Sequence, residues 1–244
     1  MLKEWIVSSG IYGKVLKRFC KLTRCEGVTF SQNGEDLIID MLIPDKKGTY
    51  VDVGAHHPIR FSNTFQLYLK GWSGINIDPS PDCMKEFKKY RPGDVNLNVG
   101  VSDHPGRIGY YCFSESAYNT TSAKRAKHLL KNKMTELKGK KQVRVVRLKS
   151  IFDRYLKNRK IDVLNIDVET MELDVLQSND WEAYRPRLIV MESILSCYNG
   201  VETIKEDPAI RYLLGRGYVV IAKARTTVFL MAEEEIQKDR LPVL

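Results

Sequence analysis

At 244 residues the chain has room for one large domain, and a composition of 43% hydrophobic and 28% charged residues excludes both wholesale disorder and a fibrous repeat. The formal charge of +9 is unevenly held: from Lys124 to Lys160 fifteen Lys and Arg face only Glu136 and Asp153, which leaves the rest of the chain net acidic. No apolar run approaches the ~20 residues of a membrane span, and the N-terminus lacks a signal peptide's apolar stretch and cleavage site, so a cytoplasmic location is expected. Five scattered cysteines without a CxxC pair point to reduced thiols rather than a disulfide framework or a structural zinc site.

Residues 1–30 set Trp5, Ile6, Ile11 and Phe19 among Lys14, Lys17, Arg18 and Lys21 at roughly helical spacing. Such a basic amphipathic segment packs on its own domain or a second subunit, or makes peripheral contact with an anionic membrane. Residues 31–244 read as one domain. Ser31 followed by Glu35 ahead of Leu37, Ile38 and Ile39 predicts a capped helix that ends at 45–48. Short β-branched runs then alternate with helical stretches. Strands are predicted at 49–53, 74–77, 95–101, 162–166, 187–191, 218–222 and 227–231, and helices at 62–70, 81–90, 122–137, 149–156, 171–177 and 209–216. Only residues 223–226 separate the last two strands, too short a link for a parallel crossover, so the last strand runs antiparallel to its neighbour. The expected architecture is α/β: a seven-stranded, mostly parallel sheet with an antiparallel last strand and helices on both faces.

Ligands of open α/β sheets bind beyond the carboxyl ends of the strands, where the strand order reverses, so the residues ending each strand carry the functional information. The first end reads Asp52-Val53-Gly54-Ala55-His56-His57, and a glycine there lets a ligand approach the backbone. Neither GxGxxG nor GxxxxGK[ST] is present, which counts against NAD, FAD and polyphosphates. Asp78-Pro79 ends the second strand and places a carboxylate where it can accept hydrogen bonds from both ribose hydroxyls of an adenosine-containing cofactor; capping of the next helix is the competing role. Gly100, Val101 and Ser102, with Asp103 beyond, suit the rim of a flat adenine pocket. The fourth and fifth ends deliver Asp167 with Glu169, and then Glu192. Carboxylates ending apolar strands need partners, so a substrate, a metal or a catalytic proton is expected there, unless the acids cap helices or form internal ion pairs.

In chain order, Ser31-Gln32-Asn33-Gly34-Glu35-Asp36, Val51-Asp52-Val53-Gly54-Ala55, Gly74-Ile75-Asn76-Ile77-Asp78-Pro79, Tyr118-Asn119-Thr120 and Leu164-Asn165-Ile166-Asp167-Val168-Glu169 resemble the FkbM-type S-adenosylmethionine-dependent methyltransferases, over most of residues 30–230. The resemblance implies a class I (Rossmann-like) methyltransferase that uses S-adenosyl-L-methionine for O-methylation, often of a sugar hydroxyl in a polysaccharide, glycolipid or natural product. It further implies that Gln32 and Glu35 fold back over the cofactor's amino-acid end, with the carboxylate meeting the ammonium group; helix capping is the alternative for Glu35. Asp52, Gly54 and Ala55 then hold the cofactor's centre, Asp78 and Pro79 the ribose, and Asp103 or its neighbours Gly100, Val101 and Ser102 the adenine end. Asp167 stands between cofactor and acceptor with Glu169 on the acceptor side, and Tyr118, Asn119 and Thr120 lie in a loop that suits either a substrate lid, facing the acceptor, or the cofactor pocket. Two residues depart from the pattern. Similar members commonly carry glycine where Thr170 stands, and methyltransferases at large carry a second glycine where His56 and His57 follow Gly54.

Methyl transfer to a hydroxyl requires an oxygen aligned behind the sulfonium methyl and a group that takes its proton as the bond forms. Candidate bases are His56, His57, Asp167 and Glu192; the histidines have the more suitable unperturbed pKa, near ~6.5, while the carboxylates sit at strand ends. Asp167 with Glu192 is also a pair of oxygen ligands for a divalent metal. The basic stretch suits an anionic partner such as an acidic glycan, a nucleotide sugar, a lipid headgroup or nucleic acid, although a solvated helix, a strand and another helix account for the same charge. Without RNP-like aromatics or an Asn/Asp-Pro-Pro-aromatic motif, nucleic acid is the less favoured acceptor. Two readings stand beside a sugar O-methyltransferase: an RNA methyltransferase, and a methyltransferase-like fold without turnover that serves as a scaffold or binding partner.

Overall fold

Both faces of the main sheet are covered, which is why its strands read as nearly continuous apolar runs. Along β8 (Leu188–Glu192), Leu188 and Val190 join a core layer with Ile39, Leu67 and Phe229, while Ile189 and Met191 join the opposite layer with Phe152, Leu176 and Ile210. This computed structural model describes residues 27–156, 158–194 and 201–239, with residues 13–15 and 18 ahead of them. The basic amphipathic helix expected over residues 1–30 lies almost wholly outside the described residues.

The other strands of that sheet are β1 (Thr49–Val53), β2 (Ser73–Ile77), β3 (Val95–Leu97), β7 (Val163–Ile166), β9 (Tyr218–Ala224) and β10 (Thr227–Ala232). They lie in the order β3-β2-β1-β7-β8-β10-β9, with β10 antiparallel to both neighbours and the other pairings parallel, as the two-residue turn after β9 demands. Helices α1 (Glu35–Leu42) and α2 (Phe65–Leu69) pack on one face; α5 (Leu148–Tyr155), α6 (Glu172–Gln177) and α7 (Pro208–Leu214) pack on the other. Helix α3 (Pro81–Tyr90) joins β2 to β3, and α8 (Glu233–Asp239) follows β10.

The sequence expectation fails over residues 98–146. The strand predicted at 95–101 is cut at Asn98, whose side-chain amide donates to the carbonyl of Asp78 at 3.1 Å. The remainder becomes β4 (Gly100–Val101), an edge of a second, three-stranded sheet in the order β4-β6-β5, built with β5 (Gly106–Phe113) and β6 (Leu137–Val146). The helix predicted at 122–137 ends early, as α4 (Ala123–Lys131). Lys133 turns to φ 51, and the Met134 N–H closes on the Leu129 carbonyl at 3.1 Å, a left-handed C-terminal cap. Ser31 is not the residue directly ahead of α1: Gly34 holds that place at φ 84 without a side-chain cap, while Ser31 donates its hydroxyl to the Asp36 carboxylate at 2.9 Å and accepts the first-turn N–H of Asp36 at 3.4 Å.

Candidate active site

The chain leaves β1 for β2 and β3 and returns to β7, so the carboxyl ends of β1 and β7 stand side by side at the reversal of strand order. A cleft of about 630 Å³ opens there. Strand ends line one part of it; β5, the turn Ser116–Tyr118 and α4 line another.

Gly54 adopts φ 81, and a Cβ at this position would collide with the carbonyl oxygen of Asp167. The glycine is thus required by the adjoining strand's own backbone as well as by its φ, and it lines the cleft. Its N–H and that of Ala55 donate to the Ile77 carbonyl at 2.9 and 3.2 Å, fixing the turn after β1 against β2. Asp78 is buried and accepts the N–H groups of Ser80 at 2.7 Å and His56 at 3.1 Å. Ser80, not Asp78, caps α3. Burial pushes the Asp78 carboxyl up to about 6, against the pull of its two N–H donors. Each of its oxygens accepts one backbone N–H, the Cys83 thiol adjoins the same carboxylate, and the group still lines the cleft with acceptor capacity beyond those bonds.

Asp52, at the cleft floor, accepts the Thr64 hydroxyl at 2.6 Å and the Asn165 amide at 2.8 Å, and Asn165 in turn accepts the Asn63 amide at 3.0 Å. Burial raises the Asp52 pKa, and the charge of Arg91 opposes it. Arg91 is completely buried: its Nε meets Asp94 at 3.0 Å, its Nη2 meets Thr64 at 3.0 Å, and its guanidinium lies over the rings of Tyr50 and Phe87.

At the ends of β7 and β8, Asp167, Glu169 and Glu192 bring carboxylate oxygens within 4.8 Å of one another. Arg125 of α4 pairs with Glu169 at 2.7 Å. Asp167 opens on the cleft but is hemmed in by protein elsewhere; the loss of bulk water, and then the charges of Glu192 and Glu169, push its carboxyl well above the usual range. Burial, followed by the charges of Glu169 and Glu172, pushes Glu192 up to about 8, and its Oε2 is buried without a donor. Two carboxyls so placed raise each other's pKa, and either one, when ionised, is a base facing the cleft. The same oxygens suit a hard divalent cation. Because Arg125 already neutralises Glu169, Asp167 and Glu192 would be its principal ligands.

The turn that aims these acids is strained. Glu169 and Thr170 have φ 54 and 80, a region that disfavours side chains with a Cβ. Glu172 accepts the N–H groups of Val168 and Thr170 at 3.3 and 3.2 Å, and Thr120 donates its hydroxyl to the Glu169 carbonyl at 3.2 Å, so the turn is braced from both sides.

Not every expected residue reaches the cleft. His56 does, with Nε2 3.1 Å from Ser116 Oγ; burial, then His57 and Arg60, lower its pKa. His57 does not line it: Nδ1 accepts the N–H groups of Ile59 and Arg60 at 3.1 and 2.9 Å, so the ring serves the loop and is removed from the candidate bases. Glu35 is also displaced. It is buried beside the cleft and accepts the Asn33 N–H and amide at 2.7 and 2.8 Å and the Thr227 hydroxyl at 3.3 Å; Gln32 and Asn33 line the cleft in its place. Gly100 and Val101 line it with Val99, and Pro79 does too, but Ser102 and Asp103 do not: Ser102 accepts the His104 N–H at 3.1 Å, and Asp103 groups with His104 and Asp174. Tyr118 and Asn119 line the cleft, although Asn119 Oδ1 is engaged by the Phe113 N–H at 2.7 Å. Thr120 borders it with its hydroxyl spent on the Glu169 carbonyl and the Ser122 N–H. Sequence reasoning missed Arg125, Tyr110 and Glu172. Arg125 is one cation in a basic run and Tyr110 lies on an unpredicted strand, so neither carried a local signal.

A seven-stranded sheet in this order, with β10 reversed and a crevice at the β1–β7 switch, defines the class I, Rossmann-like methyltransferase fold. The profile of the methyltransferase FkbM domain matches residues 52–220, more than half of the chain, and the chain belongs to that family of S-adenosylmethionine-dependent methyltransferases. Among solved structures it is similar to a candidate caffeoyl-CoA O-methyltransferase from Staphylococcus aureus, at 11% identity over 94% of this chain and 98% of that one, with a TM-score of 0.40. It is also similar to an O-methyltransferase from Bacillus cereus in complex with SAH, at 12% identity over 89% of this chain and 88% of that one, with a TM-score of 0.36. No curated protein sequence matches it. Among the described residues no helix is long and apolar enough to cross a membrane.

Proposed function

We propose that the cleft binds S-adenosylmethionine and that the protein methylates a sugar hydroxyl, on an acidic glycan, a glycolipid or a nucleotide sugar. One observation carries this reading: the nucleoside-type seat at Asp78 and Gly100 and the clustered acids Asp167 and Glu192 line one cleft. The cofactor, when bound, supplies an electrophilic methyl group. Asp78, a cleft-lining carboxylate, accepts the ribose hydroxyls. Asp52, held by Thr64 and Asn165, offers a fixed negative charge to the cofactor's ammonium end, the part first expected of Glu35. Gln32 and Asn33 lie within reach of the same cleft.

On the acceptor side an ionised carboxylate of Asp167 or Glu192 takes the hydroxyl proton as the new C–O bond forms and the methyl–sulfur bond breaks, with S-adenosylhomocysteine as the leaving group. Arg125 restrains the negative charge of the cluster by pairing with Glu169, and Tyr118 and Asn119 flank the acceptor. A divalent cation held by Asp167 and Glu192 would acidify the same hydroxyl.

Calorimetry with S-adenosylhomocysteine is the first test: the wild-type chain binds it, and Asp78→Ala weakens binding about tenfold or more, the loss of two hydrogen bonds to a buried carboxylate. Methyl transfer is then followed on acidic glycans and nucleotide sugars, with Asp167→Asn expected to keep cofactor affinity and lose turnover. Absence of S-adenosylhomocysteine binding defeats the enzymatic reading. Transfer to RNA alone replaces the sugar acceptor, and binding without transfer to any acceptor leaves a scaffold.

A further inference from the structure

We propose that the face made by the end of α4 and the β5–β6 ribbon docks on an anionic lipid bilayer. β6 pairs with β4 only at Val145 and Val146, so residues 137–144 are bonded to β5 on one side and offer an open strand edge on the other. Lys138, Lys140, Lys141 and Arg144 stand exposed along it, and Arg144 lies directly opposite Arg107 in the register. Like charges facing each other across a strand pair are destabilising unless an anion comes between them. α4 adds exposed Lys127 and Lys131, and the sole acid from 123 to 146 is Glu136, 3.7 Å from Lys138.

Charge by itself would serve any polyanion, and lysines on an open edge also guard against strand pairing between molecules. The aliphatic side chains favour a bilayer. Leu130, Met134 and Leu137 are 42, 47 and 42% exposed among those lysines, and with Phe61 they are four of the seven large hydrophobic side chains exposed among the described residues. A polyanion in water gains nothing from exposed leucine and methionine. An interface with acyl chains beneath anionic headgroups takes both kinds of side chain. Met134 and Phe61 also line the cleft, so docking sets its mouth near the headgroups, where a lipid-linked acceptor is presented. The surface itself does not depend on methyl transfer.

Flotation of the full chain with vesicles of phosphatidylcholine alone, or with about one-third phosphatidylglycerol, tests the proposal. Retention on the anionic vesicles is expected to exceed that on the neutral ones by roughly tenfold and to fall with added salt. Residues 1–30 have a basic amphipathic pattern of their own, so two variants decide: Leu130→Ser with Leu137→Ser, and Lys127→Gln with Lys131→Gln and Lys141→Gln. Each is expected to lower retention by about fivefold or more. All five positions are exposed, and unchanged thermal melting verifies the fold. Full retention by both variants, or no retention of the wild type, overturns the proposal. So does binding to a soluble anionic polysaccharide or to RNA without binding to vesicles.

Discussion

Thr170→Gly is expected to stabilise the protein, although glycine substitutions usually do the reverse. Thr170 is exposed and held at φ 80, where an L side chain sits about 1–2 kcal/mol above its relaxed backbone and β-branching adds crowding. Its hydrogen bond to the Glu172 carboxylate at 3.2 Å is donated by the backbone N–H and survives the change. Against the relieved strain stands the larger freedom of glycine in the unfolded chain, about 0.4–1 kcal/mol. The net gain is about 0.5–1 kcal/mol, or about 1–4 °C in Tm for a domain of this size. Differential scanning calorimetry of the wild type, Thr170→Gly and Thr170→Ala separates the contributions. Alanine keeps the Cβ in the left-handed region and should recover only a few tenths of a kcal/mol by shedding the branch. A Thr170→Gly variant melting below the wild type, or an alanine variant matching the glycine one, would refute the assignment of strain to this turn.

Other perturbations probe the same construction. Gly54→Ala combines a positive φ with a collision against the Asp167 carbonyl, so a loss of about 2–5 kcal/mol is expected, read as a large fall in Tm; a melting point within a degree of wild type would show that the β1 turn moves freely. The carboxyls of Glu192 and Glu172 lie at about 8 in the folded chain, above their unfolded range near ~4.3, so the folded state binds the extra protons between those values. Stability therefore falls as pH rises from about 4.3 to about 8 and levels off above; Glu192→Gln should flatten part of that slope in melting curves, and an unchanged slope would count against the buried acid. Arg91→Met strands Asp94 in the core and is expected to cost about 3–5 kcal/mol by urea denaturation, whereas a loss under ~1 kcal/mol would mean that water reaches the network.

Much of the main sheet was legible because its strands are buried on both faces and their residues must be apolar, as in the runs ending at Val53, Ile77, Ile166 and Met191. The small sheet was not legible for the converse reason. β6 carries Lys138, Lys140, Lys141 and Arg144 on an exposed ribbon, so only Val143 and Val145 alternate with polar residues, too short a pattern to give bounds to the strand expected between the two helices of the basic stretch. At the site, Asp78, Asp167 and Glu192 were visible as acids closing apolar strands. His57 and Glu35 were visible too, yet both spend their acceptors on neighbouring N–H groups that only the folded loops bring to them.

The amino-acid order alone fixed a mostly parallel seven-stranded sheet with a reversed hairpin strand and a ring of acids at its carboxyl edge, since burial and turn length act over a few residues at a time. Which acids meet, which imidazole faces the cleft, and that Arg125 of α4 reaches Glu169 forty-four positions away were decided by the tertiary fold. Hydrogen bonds and charges act through space, and a side chain's protonation state depends on neighbours that its position in the chain does not name.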